Sequence, residues 1–149
     1  MSPLTDHGLE QHATALLALL DQFGEATLDD TSDAGFPDEE RVLEARVAAP
    51  LEAPHQTAFF AYTEIYRRRS DRRWEITYYT YEFQQRPGWG RRAHHWHDSH
   101  HHAHCVDPRY PARDHHYRGV PVSVHEAHSD LARWYGSGRP IDCAGLFPL

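Results

Sequence analysis

The chain of 149 residues contains no lysine and no asparagine, so all 15 of its basic side chains are arginine. That usage is what a GC-rich genome imposes. Methionine occurs once and cysteine twice, at Cys105 and Cys143, with no spacing that suggests a disulfide framework. A disulfide-stapled scaffold is thereby excluded, and a reducing, cytoplasmic setting is expected. No apolar run approaches the roughly 20 residues of a membrane helix, so no membrane partner is expected. The opening Met1-Ser2-Pro3-Leu4-Thr5-Asp6 lacks the basic start and apolar stretch of a signal peptide. What is present suits a folded protein: 40% of residues are apolar and 12% aromatic, over the length of one ordinary domain.

Histidine is in excess, with 14 residues. The formal net charge is −7 with histidine neutral, and full protonation of these rings would turn it into +7. Charge is also uneven along the chain. Residues 1–40 carry ten acids and no arginine, whereas residues 67–92 carry eight arginines against Asp71, Glu75 and Glu82. Two outcomes are open for the acidic stretch. Its helix completes the core, or it docks across the basic strands and shields them.

Leu9, Ala13, Leu16, Leu17, Leu20 and Phe23 recur at helical spacing and predict a helix over 9–23, capped by Thr5 or Asp6 and ended by Gly24. Residues 25–40, with Gly35 and Pro37, read as a linker or a loose first strand. Alternation then predicts strands over 41–47, 58–68, 74–83, 91–98 and 100–106, with turns at Arg69–Arg73 and Pro87-Gly88. Trp74, Ile76 and Tyr78 are expected on the face opposite Tyr79, Tyr81 and Phe83. Ser123-Val124-His125-Glu126 is a capping box opening a last helix through Ala127, Leu131 and Trp134 to Gly136. The expected fold is α+β: an antiparallel meander of four to five strands with an N-terminal and a C-terminal helix packed on one face. The organisation is a helix with acidic linker over 1–40, an α+β unit over 41–135 and an irregular tail over 136–149.

Seven of the eleven residues from His94 to His104 are histidine. On a strand, His100, His102 and His104 share one face, and His101 and Cys105 the other. Two chemistries suit such a pattern. In the first, His102 and His104 act on RNA as general base and acid and need no cofactor, with Glu64 and Tyr81 as the supporting catalytic shell. Arginine forks hold phosphate in that reading: Arg91 and Arg92 first, then Arg67, Arg68, Arg69, Arg72 and Arg73. In the second, His102, His104, Cys105, His115 and His116, or a carboxylate such as Asp114, bind zinc without catalysis. The rest of the histidine run is expected to be dispensable.

The order of features resembles the TumE family, the toxin half of small bacterial and archaeal toxin–antitoxin modules. The matching stretch runs from about Arg41 to Tyr135, with Tyr79-Thr80-Tyr81, Arg91–Asp98, His102-Ala103-His104 and the Val122–Trp134 helix as landmarks. The surplus histidines, the acidic first 40 residues and the tail after Gly136 depart from that pattern. The resemblance implies growth inhibition through RNA or translation, as by a metal-independent ribonuclease, and neutralisation by a helix-turn-helix antitoxin.

Overall fold

The computed structural model describes residues 2–33, 39–50, 57–86, 90–97, 100–107, 109, 115–137, 139–143 and 145–148, the side chains of 33, 50, 115, 147 and 148 excepted. Gly35, Pro37, the Pro87-Gly88 turn, Asp98 and Asp114 lie outside these. The fold is α+β. Helix α1 (Asp6–Asp21) leads into strands β1 (Thr27–Asp33), β2 (Glu40–Pro50), β3 (Thr57–Arg68), β4 (Trp74–Arg86), β5 (Gly90–His97), β6 (His100–Val106) and β7 (His115–Arg118), then helix α2 (Val124–Ser137). The seven strands form an antiparallel meander in sequence order, and the two-residue β8 (Phe147–Pro148) extends it beyond β7.

The sheet is thus larger than the four to five strands expected. The added members are β1 (TLDDTSD) and β7 (HHYR), whose polar composition hides the alternation that marks a strand. A β1 at the sheet edge has only one strand neighbour and tolerates such residues.

Both helices pack on one face. Leu9, Leu16 and Leu20 of α1 and Val124, Ala127 and Leu131 of α2 join Leu43, Ala45, Val47, Phe60, Tyr62, Tyr81 and Phe83 in a single core. Residues from all three sequence stretches contribute to it, because Ile141 of the tail is also buried there. The Thr5 side chain caps α1 by accepting from the Gly8 N–H at 3.0 Å. The capping box forms as its sequence dictates: Glu126 N–H donates to Ser123 Oγ at 3.2 Å, and Ser123 N–H to the Glu126 carboxylate at 2.7 Å.

One expected strand face is corrected. Between Ile65 and Tyr66 the β3–β4 register shifts, so Tyr66 faces Ile76 while Ile65 faces Tyr78. Thr77 is therefore an extra residue in a bulge, and it reverses the alternation of β4. Trp74 and Ile76 consequently share the helix-covered face with Tyr79, Tyr81 and Phe83, and only Tyr78 stands opposite.

The two cysteines are joined, Cys105 of β6 to Cys143 of the tail. The tail is thus not a loose end. Gln85 accepts from the Ile141 N–H at 2.9 Å, and the Asp142 carbonyl accepts from Arg92 at 3.3 Å. Among the described residues, no helix is long and apolar enough to cross a membrane.

Candidate metal centre

The face left bare by the helices collects the histidines. In the β5–β6 register His95 faces His102 and His97 faces His100, and in the β6–β7 register His104 faces His116. Alternation then turns His95, His97, His102, His104 and His116 to the same side. Their rings crowd: centroids lie 4.8 Å apart for His97–His102, 4.9 Å for His102–His104 and 4.2 Å for His104–His116. His95 reaches both His104, at 4.4 Å, and His102, at 5.3 Å. Ala93, fully buried and opposite His104 in register, adds no bulk beside these rings.

Two groups of three imidazoles bring their nitrogens within 4.8 Å of one another, His95/His97/His102 and His102/His104/His116. These groups could hold a metal ion. A tetrahedral ion with bonds of about 2.0–2.1 Å needs donors about 3.3 Å apart, so modest rotation of the rings suffices. His102 Nε2 and His104 Nε2 already stand 3.0 Å apart. His95 Nε2 is buried with no hydrogen-bond partner. Burial, reinforced by His104, Arg91, His102 and His97, pushes the His95 imidazole down to about 3. Burial and the neighbouring His97 also lower His102. Both rings are thereby kept in the neutral form that binds metal.

The backbone behind His102 is held by Gly119. A Cβ there would come within 2.5 Å of the His102 Cα and nitrogen, so the chain leaving β7 crosses β6 at a distance only glycine allows.

Cys105 does not belong to this group. It points to the helix-covered face and its sulfur is bonded to Cys143, which removes it from the zinc ligands expected. His116 is in the cluster. The backbone of His115 pairs with Cys105, and its side chain lies outside the described residues. His95 and His97, expected to be dispensable, supply half of the clustered donors that flank His102.

Glu64 and Tyr81 do meet, but behind the sheet from His102 and His104. Glu64, with no exposed surface, accepts from Tyr81 at 2.6 Å and from Tyr66 at 2.8 Å, and contacts His12 Nε2 of α1 at 2.6 Å. That contact raises the His12 imidazole above its ordinary value. Burial raises both tyrosines.

The arginines expected to hold phosphate are dispersed. Arg92 is 3% exposed on the covered face, where Asp130 accepts from its Nε at 2.7 Å and from His94 at 2.9 Å. Burial pushes the Asp130 carboxyl up, but His94 and Arg92 outweigh it and hold it well below the carboxylate range. Arg68 pairs with Glu39 at 2.7 Å and Asp6 at 3.3 Å and stacks on Trp74 at 4.3 Å. Arg67 meets Glu40 at 3.6 Å and Arg69 meets Asp71 at 3.4 Å. Arg72, at φ 66°, turns the β3–β4 hairpin, and the Arg73 N–H donates to Asp71. Only Arg91 of this set stands on the open face beside the imidazoles, paired with Glu82 at 2.5 Å. The acidic N-terminal stretch thus both completes the core through α1 and meets the arginines through Asp6, Glu39 and Glu40.

No family model, no curated protein and no solved structure matches this chain.

Proposed function

We propose that this protein binds a divalent transition metal, zinc first, through the imidazoles of its open sheet face. The observation that carries the reading is the convergence of four imidazoles on His102, with nitrogens within 4.8 Å in each triad. Histidines merely tolerated on a wet surface have no reason to face one another in pairs, where protonating both rings is repulsive. A donor set of nitrogen alone suits zinc, copper(II) or nickel(II), and is wrong for magnesium or calcium, which take oxygen. Three imidazoles leave a tetrahedral ion one position for water or another ligand. The Cys105–Cys143 bond removes the compositional ground for a reducing cytoplasm, and the setting proposed is one oxidising enough to keep it.

The test is zinc titration of the metal-free full chain by calorimetry, with metal content measured after dialysis. Near-stoichiometric zinc and a lower melting temperature after chelation are expected. No heat of binding and an unchanged melting temperature would overturn the reading.

The 3.0 Å contact of His102 Nε2 with His104 Nε2, one donor and one acceptor, favours the RNA-directed, TumE-like role as a second reading. Under it Arg91, and Arg118 opposite His102 in register, would take phosphate. RNA cleavage that survives chelation and disappears in His102→Ala would support it, as would a helix-turn-helix partner encoded alongside.

A further inference from the structure

The two triads share one member. Both contain His102, and among the described residues no carboxylate or thiol joins either. Both positions draw on the one His102 ring, and two dications within a ring's width repel strongly. We propose that the five imidazoles form a track with two positions for a single zinc ion, pivoting on His102, so that the metal is exchangeable cargo rather than a fixed structural ion. This rests on the metal-binding reading above and adds how the ion is held.

Three features make the movement possible. First, the shift from one position to the other replaces His95 and His97 by His104 and His116 while the bond to His102 persists, so the ion is never released to water. Second, the rings of His95 and His104, 4.4 Å apart, span the gap between the positions. Third, the most exposed member of each triad is its outermost one, His97 on β5 and His116 on β7. The track therefore opens to solvent at both ends, with its pivot held between β5 and β7 by the Gly119 crossing. A structural zinc site is closed by four protein ligands, whereas each position here offers three and leaves room for an incoming donor.

Full-length protein is titrated with zinc chloride beside three variants: His102→Gln, the pair His95→Gln/His97→Gln, and the pair His104→Gln/His116→Gln. One zinc per chain is expected in the parent. Each pair variant should still take one zinc, within about tenfold of the parent affinity, because two exclusive positions add little to either alone. His102→Gln should weaken binding by about a hundredfold or more, since it leaves neither triad complete. Two ions per chain would overturn the track. So would full affinity in one pair variant with loss in the other, which means one triad alone, or a hundredfold loss in both, which means one central site. Should His102→Gln fail to fold, ring-proton NMR of the parent decides. Signals of both triads changing together up to one equivalent support the track, and changes confined to one triad overturn it. Absence of zinc uptake by the parent overturns the metal-binding reading itself.

Discussion

Histidines stand on both faces of the sheet, and the two faces give them different company. On the covered face four described rings meet a carboxylate or a phenol: His12 with Glu64, His94 with Asp130, His101 with Tyr79 at 2.8 Å, and His128 with Tyr62 at 2.8 Å. On the open face, rings meet rings. Buried polar groups in a folded chain find partners within it, and the covered face obeys that rule in full around Glu64. On the open face the buried Nε2 of His95 has no hydrogen-bond partner. The same residue type is tied to carboxylates and phenols on one face and to other imidazoles on the other.

The strongest way to break this contrast is Glu64→Ala. It leaves His12, Tyr66 and Tyr81 without their common acceptor, and about 3–5 kcal/mol of stability should be lost in denaturant unfolding. Zinc affinity should not change. A loss of zinc affinity in a still-folded variant would mean that the covered face also organises the metal centre.

Removing the disulfide with Cys105→Ala/Cys143→Ala comes next. The bond closes a 38-residue separation, so its loss should cost about 2–4 kcal/mol, visible as a lower melting temperature that reductant no longer affects. Because the Cys105 side chain faces away from the imidazoles, zinc binding should again be retained.

The smallest effect is in the pH dependence of stability, where the two faces should pull in opposite directions. His12 is raised in the folded state by Glu64, so its contribution is fully present below the ordinary 6.5 and is lost as pH rises through its folded value. His95 is held down to about 3, so the unfolded chain takes up a proton that the folded one refuses. Its presence therefore lowers stability as pH falls from 6.5 towards 3. Denaturation curves of metal-free protein between pH 4 and 8 should lose the first slope in His12→Ala and the second in His95→Phe. Identical slopes in both variants would show that the faces do not differ in this way.

How far the sequence reveals these faces depends on the kind of information each needs. Periodicity within one element was enough for α1, whose Leu9, Leu16 and Leu20 are all buried, and for the Ser123–Glu126 box. It also separated His102 and His104 from Cys105. Relations between strands were harder, because alternation fixes parity only within a strand. Glu64 and Tyr81 do touch, yet parity in β3 and β4 says nothing about which side of β6 they share. The bulge at Thr77 defeated the local pattern outright. One relation was within reach. His97 and His100 are separated by two residues, and a two-residue turn places His95 opposite His102 without further information. The pairing of Cys105 with Cys143 had no such signal, since it depends on the path of a tail poor in regular structure.

The meander order carries a consequence for how the molecule is assembled. Every strand from β1 to β7 lies beside its neighbour in the chain, so each can be added to the one before by closing a short loop. Contacts of short range in sequence make for a fast search, and a sheet ordered this way folds sooner than one whose partners must be fetched from afar. Contacts of still longer range involve the ends: Gln22 of the α1 cap reaches His128 of α2, and Gln85 reaches the tail at Ile141. A chain emerging from synthesis could complete the imidazole face with β7, while the covered face waits for α2 and the last residues to arrive.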